Sequence, residues 1–350
     1  MHLVTIPESL DKGTIGIFPA GTYMMEDQNG AEFMLQHPEA HITMVPPHWS
    51  RFTIPDSPAS LCVAGGLGMG DAIMLTPVLR ALKKKYPEAV LSVACFPHYR
   101  APLLNLPYID GFIDWPMPES NRTPTYFLEG FPRHELACEI HLTDVFAVMV
   151  GVALEDKKAD YIPTNDEREW AFSTFPRIEA RKRLGLQVQA SHRCRTYPAT
   201  QLRDLMQLMV KDGWEIYLMD SPGEFACKEM GHLHDLRIQA PSFRESAAFL
   251  LTCDAFCGPD SGFLHAAGAM NIPSVGLFAT VPWKLRTAYY SSVFAMQGAG
   301  ECSPCFHTPT QLMPAFPKLG PCAKTGKCEV LAGISPERIK AKIDQITSRP

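Results

Sequence analysis

Short apolar runs alternate along the chain with stretches of helical period, and the alternation occurs twice. The run Ser-Leu-Cys-Val-Ala-Gly-Gly (60–66) predicts a buried strand ending in a glycine-rich turn. Residues 72–86 follow as a helix with apolar positions Ile73, Leu75, Val78, Leu79 and Leu82. Pro77 is expected in the first turns, where a helix tolerates it, and Lys83, Lys84 and Lys85 lie where positive charge favours the helix dipole. A strand over 89–95, a short helix near 100–106, a strand around 111–115 and a helix over 134–152 complete the first round. The charged stretch 155–183 has the composition of a linker carrying a surface helix. The second round predicts a weak strand at 187–190, a helix over 199–211, a strand over 215–219, a helix over 243–251 and a strand over 255–257. A loop, a small-residue helix and a strand run to 278. Ser335 as N-cap and Pro336 at the first position open a closing helix over 335–346.

Alternating strands and helices predict parallel α/β sheets, here two doubly wound domains. Residues 1–59 differ: Pro7, Gly13, Gly16, Pro19, Gly21, Asn29-Gly30 and Pro46-Pro47 punctuate short runs, the pattern of a small β-rich N-terminal extension. Its plainest role is to pack on the next domain. The expected division is 1–59, 60–183, 184–334 and a closing segment 335–350.

Composition narrows the function. The chain has 350 residues, 46% of them hydrophobic, a length that fits about two domains. With 32 Lys+Arg against 37 Asp+Glu, the net charge of −5 argues against a dedicated nucleic-acid binder, although a local basic groove for nucleic acid stays open. The N-terminus has no basic stretch followed by an apolar run. The longest apolar stretch, 145–154, is far short of the roughly 20 residues that span a bilayer, so a soluble, cytoplasmic protein is expected, with at most peripheral membrane contact. Eleven cysteines are then expected to be mostly reduced thiols. Asn121-Arg122-Thr123 matches a glycosylation sequon but in such a chain is a polar loop.

Two segments carry candidate chemistry. Gly65-Gly66-Leu67-Gly68-Met69-Gly70-Asp71 lies between a strand and a helix, where backbone N–H groups can face an anion. A dinucleotide site would need an acidic residue ending the second strand, and Val93-Ala94-Cys95-Phe96-Pro97 has none, which disfavours a nicotinamide-dependent oxidoreductase. Asp71, a carboxylate at a helix N-terminus facing the cleft, suits a general base, with helix capping as the bland alternative. In Gly258-Pro259-Asp260-Ser261-Gly262-Phe263-Leu264-His265, Asp260 and Ser261 can cap a helix whose first amides meet a ligand, and His265 sits one turn in. Cys302 and Cys305, with Cys322 and Cys328 and His307 as a spare ligand, form a candidate structural zinc set, free thiols or a disulfide being the alternatives.

Residues 70–93 together with 253–278, about 190 residues apart, resemble the ADP-heptose:lipopolysaccharide heptosyltransferases of glycosyltransferase family 9, and the resemblance covers roughly 60–346. It implies a GT-B fold, two Rossmann-like domains facing across a cleft, with an inverting sugar transfer that requires no metal or other cofactor for catalysis. It further implies Asp71 as the base and Asp260, Ser261, Gly262 and His265 on the donor's diphosphate or sugar. Glu224 would bind the nucleoside ribose, and Gly68 and Gly70 would form the acceptor-side loop. Arg195, in Arg195-Thr196-Tyr197-Pro198, is a loose counterpart of the family's basic residue for the leaving diphosphate. The expected partners are a nucleotide-diphosphate sugar, ADP-linked by family default, and a saccharide or glycolipid acceptor. A modified nucleobase or a protein as acceptor, or a nucleotide-sugar binding module without catalysis, stay open as alternatives.

Overall fold

The two rounds of alternation become two parallel sheets, preceded by a group of antiparallel strands. A computed structural model of the chain describes residues 2–6, 10–11, 17–18, 21–25, 41–44, 54–65, 67–115, 117, 121–128, 138–177, 181–190, 193–219, 232–236, 242–300, 303 and 328–348. Strands β1 (His2–Ile6), β2 (Leu10–Asp11), β3 (Ile17–Phe18), β4 (Gly21–Met25) and β5 (His41–Met44) give the first residues their expected β character. They form an antiparallel sheet in the order β4-β1-β5 and a separate β2-β3 pair.

The first parallel sheet contains β6 (Ser60–Ala64), β7 (Val90–Cys95), β8 (Gly111–Asp114) and β9 (Thr125–Phe127), in the order β8-β7-β6-β9. Strand β9, only three residues long, was not foreseen; it joins the edge by pairing Cys62 with Thr125 through Ala64 with Phe127. Helix α1 (Met69–Lys85) buries Ala72, Ile73, Met74, Leu75, Val78, Leu79 and Leu82. It begins three residues earlier than its apolar positions predict, so Pro77 falls in the third turn rather than the first turns. Proline there removes the N–H that would bond the Ile73 carbonyl. The Thr76 hydroxyl donates to that carbonyl instead at 2.7 Å and accepts the Asp160 N–H at 2.8 Å, while Thr143 donates to the Met74 carbonyl at 2.9 Å. The short helix expected near 100–106 is two single 3-10 turns, Pro97–Tyr99 and Ala101–Leu103, each with a proline at its first or second position. The helix expected over 134–152 is α2 (Leu142–Val150), stopped by Gly151 at φ 70°; the start of the expected span lies outside the described residues.

Helix α3 (Asn165–Thr174) opens on a capping box of Thr164 and Glu167 within the charged stretch, as its composition suggests. The second sheet contains β10 (Arg183–Gln187), β11 (Glu215–Met219), β12 (Leu233–Asp235), β13 (Ala255–Pro259), β14 (Ser274–Phe278) and β15 (Val293–Gln297). Their order, β12-β11-β10-β13-β14-β15, is the 3-2-1-4-5-6 order of a dinucleotide-type sheet. The strand expected at 187–190 lies four residues earlier. Arg183 disguises its start, being charged yet fully buried: its guanidinium meets Glu215 at 3.3 Å and the carbonyls of Phe175 and Pro176 at 2.9 and 2.6 Å. Helices α4 (Ala199–Lys211), α5 (Phe243–Phe249), α6 (Gly262–Ala269), α7 (Lys284–Thr287) and α8 (Pro336–Thr347) surround this sheet. Leu202, Leu205, Met206 and Met209 on α4 and Ile339, Ile343 and Ile346 on α8 share one apolar core at helical spacing, and Ser335 caps α8 as expected. Among the described residues no helix is long and apolar enough to cross a membrane.

Arg244 of α5 joins the halves. It is 7% exposed and forms a two-pronged pair with Glu167 of α3. It also donates to the carbonyls of Ala101, Leu104 and Ile162 at 2.9, 3.2 and 2.9 Å. Removing one partner of such a buried pair strands the other charge. Arg244→Ala is therefore expected to lower the unfolding free energy by about 3 kcal/mol or more, measured by urea denaturation; an unchanged midpoint would refute the assigned weight of this contact.

Candidate functional site

Ligand crevices of open parallel sheets form at the carboxyl ends of strands where the strand order reverses. Each sheet has one such point here, after β6 in the first and between β10 and β13 in the second. The glycine-rich turn after β6 leads into α1 with Gly68 as its N-cap, and Asp71 accepts the Gly68 N–H at 3.0 Å. Beyond β13, Asp260 precedes Ser261, which caps α6 by accepting the Leu264 N–H at 3.5 Å. The Ser261 hydroxyl also donates to the Gln187 side chain at the end of β10, tying the two strands that flank the reversal.

The two helix starts meet. A Cβ on Gly70 would lie 2.7 Å from the His265 ring, and one on Gly262 would lie 2.7 Å from Cβ of Met69, so glycine at both positions permits the approach of α1 to α6. His265, 1% exposed, bonds Asp260 through Nε2 at 3.2 Å and the Tyr290 hydroxyl through Nδ1 at 3.2 Å. Tyr290 in turn occupies space that Gly268 leaves: a Cβ there would stand 2.6 Å from the phenol ring. Arg195, in the 3-10 turn Arg193–Arg195, donates to the Asp260 carbonyl at 3.0 Å and has its carboxylate at 4.0 Å. Burial raises the pKa of Asp260, but the His265 hydrogen bond and the pull of His265, Arg195 and Arg286 outweigh it and bring it down to about 2. Asp260 is ionised at neutral pH.

Asp71, Gly70, Arg195, Asp260, Ser261, Gly262 and His265 thus gather along one seam. Glu224 lies outside the described residues, as do Cys302, Cys305 and Cys322 of the candidate zinc set. Cys328 is described, and a hydrogen bond with Cys194 pulls its thiol down to about 6. Among the described residues no group of three or more His, Cys, Asp or Glu side chains could hold a metal ion.

Four residues at the seam escaped the reading of the sequence: Arg286, Tyr289, Tyr290 and His141. The first three follow β14 in Trp283-Lys284-Leu285-Arg286-Thr287-Ala288-Tyr289-Tyr290, and both phenols come after α7 has ended at Thr287, where no periodic pattern marks them. Tyr289 donates to Asp144 of α2, which pairs with Lys157 at 2.8 Å, and its ring lies 4.2 Å from that of His141. His141 caps α2, its Nδ1 accepting the Thr143 N–H at 3.2 Å. Burial holds this ring neutral with its pKa down to about 3, the Arg286 backbone opposing the shift and the charges of Arg286 and His265 reinforcing it.

A carboxylate in the first turn of one sheet's helix and an acid, a histidine and an arginine at the start of the other's thus lie along one seam. The model of glycosyltransferase family 9 (heptosyltransferase) matches residues 135–315, about half of the chain, and the chain belongs to this family. It is 32% identical over 131 residues to lipopolysaccharide heptosyltransferase 1 of Campylobacter coli, an alignment covering 35% of this chain and 38% of that protein. It thus matches less than half of that relative's length. Among solved structures it is similar to a family 9 glycosyl transferase of Veillonella parvula, with a TM-score of 0.60 and 12% identity over 85% of this chain and 99% of that one. It is also similar to the ADP-heptose lps heptosyltransferase II of E. coli, with a TM-score of 0.58 and 15% identity over 82% and 98%. The fold is accordingly GT-B, two Rossmann-like units across a cleft.

Gly70→Ala is expected to cost about 1–3 kcal/mol, because the methyl must displace the His265 ring in a packed seam; denaturant unfolding at wild-type stability would refute the close approach. Acidification gives a second expectation. His141 has a folded pKa of about 3 against 6.5 for the free side chain, so below pH 6.5 the unfolded chain takes up a proton that the folded one refuses. Its contribution to stability is fully present above pH 6.5 and diminishes as pH falls towards 3. By pH 5 the loss is about 2 kcal/mol, and His141→Gln should flatten the dependence of unfolding free energy on pH between 7 and 5; an equal slope in the variant would refute it.

Proposed function

We propose that the protein is an inverting glycosyltransferase that moves a sugar from a nucleotide-diphosphate donor to an acceptor hydroxyl, with Asp71 as general base. One observation carries this reading: Asp71 on α1 and the Asp260–His265 group on α6 belong to different sheets yet meet at one seam, through Gly70 against His265. A base on one wall and an anion-receiving helix start on the other is what a single displacement requires. The acceptor O–H loses its proton to the Asp71 carboxylate, its oxygen bonds to the sugar C1 from one face, and the bond from C1 to the diphosphate oxygen breaks on the other. The leaving diphosphate keeps the electron pair and meets positive potential from the α6 N-terminus and Arg195.

Ser261, Gly262 and His265 would line the diphosphate and sugar, with Asp260 holding His265 in orientation through its 3.2 Å bond. Family membership supports sugar transfer as the activity, and the names of the relatives, a lipopolysaccharide heptosyltransferase and an ADP-heptose lps heptosyltransferase, support ADP-heptose as donor and a saccharide of a glycolipid as acceptor. Use of such a donor would make the cytoplasm its compartment.

Asp71→Asn preserves an oxygen that can accept the Gly68 N–H and removes the base. Transfer is expected to fall by about 100-fold or more, while stabilisation by the nucleoside diphosphate in thermal denaturation persists. Turnover within tenfold of wild type would overturn the role of Asp71. A panel of nucleoside diphosphates and nucleotide sugars tests the donor class, since a ligand of the folded state raises the melting temperature by mass action; the absence of any shift would overturn the nucleotide-sugar reading.

A further inference from the structure

Three arginines are buried in the described part of the chain, and two of them are fully engaged. Arg183 has Glu215 and two carbonyls; Arg244 has Glu167 and three carbonyls. Arg286 is 9% exposed, but its guanidinium makes one hydrogen bond among the described residues, from Nη1 to the carbonyl of its own neighbour Leu285 at 3.0 Å, and no ion pair. A guanidinium presents five N–H donors, and no Arg286 nitrogen is both sealed from solvent and unpartnered among the described residues, so the donors that make no protein contact are open to something else.

Its location identifies what that is. Arg286 lies beyond the carboxyl end of β14, on the same side of the sheet as the start of α6. It is held there by the anchors that follow it: Tyr290 bonded to His265 and Tyr289 bonded to Asp144. Asp260 and Asp71 both act on its charge, one from each wall of the seam, and Arg195 acts on it from the same side as Asp260. None of the two carboxylates pairs with it directly.

We infer that Arg286 is a diphosphate-binding residue of the cleft, its idle donors serving the phosphate oxygens of the donor beside the α6 N-terminus. This rests on the glycosyltransferase reading above and adds a residue to it. The chemistry fits, since a planar guanidinium offers two parallel donors to a phosphate where an ammonium offers a point charge. The Arg286 charge, with that of Arg195, also offsets the two acids, Asp71 and Asp260, that share the seam.

The test is calorimetric titration of wild type, Arg286→Gln and Arg286→Lys with inorganic pyrophosphate, with ADP, UDP, GDP and CDP, and with the matching nucleosides; thermal denaturation checks the fold of each variant. Arg286→Gln is expected to weaken the diphosphate that wild type binds by about 10- to 100-fold, the range for hydrogen bonds to a charged group. Its nucleoside should bind unchanged, a split that a merely structural arginine would not produce. Arg286→Lys, which keeps the charge and most of the volume, is expected to lose at least threefold, and it decides alone if the glutamine variant does not fold. Diphosphate affinity within twofold of wild type in the folded variants would overturn the inference and leave the glycosyltransferase reading standing. Failure of wild type to bind pyrophosphate or any nucleoside diphosphate would overturn both.

Discussion

Two helix N-termini abut at the centre of this molecule, and each carries a partial positive charge. The contact of α1 with α6, made through Gly70 and Gly262, would be self-repelling if the helices were bare. Each brings its own acid: Asp71 in the first turn of α1, and Asp260 just ahead of the Ser261 cap of α6. The carboxylates settle the two dipoles, and the seam in turn fixes how far apart the acids stand. Glycine, acid and helix start therefore form one interdependent unit. The same amides and carboxylates that let the halves pack are those that an acceptor hydroxyl and an anionic leaving group would meet.

The support of this unit is built in layers. Asp260 holds His265, His265 holds Tyr290, and Gly268 leaves the room in which Tyr290 stands. On the other wall, Tyr289 reaches Asp144 and lies against His141, so the segment after β14 touches both halves through adjacent phenols. Burial keeps His141 uncharged beside Arg286, which spares the seam a further cation.

How much of this the chain discloses depends on where charge goes. The helical stripes of α4 and α8 are legible because apolar residues recur with the helical period and the polar ones stay outside. Strand β10 was misplaced because Arg183, an ordinary surface residue by type, is fully buried by a partner 32 positions away. Pro77 stands deeper in α1 than the apolar pattern predicts, and the Thr76 hydroxyl, invisible to periodicity, meets the Ile73 carbonyl that the proline leaves without its N–H donor. In the site, Asp71 stood out because it follows the glycine-rich turn after β6, and Asp260 and His265 because they belong to the glycine-containing segment that opens α6. Arg286 and its two tyrosines did not, since their meaning arises only when β14 lies next to β13 and brings them to the seam.

The contact made by Arg244 has an evolutionary side. Three of its acceptors are main-chain carbonyls, at Ala101, Leu104 and Ile162, and a carbonyl is the same whatever side chain its residue bears. Substitutions at those three positions leave the acceptors intact as long as the backbone keeps its path. Only Arg244 and Glu167 are chemically irreplaceable in the joint. The surface of the first half around it is thereby free to drift in sequence without loosening this joint.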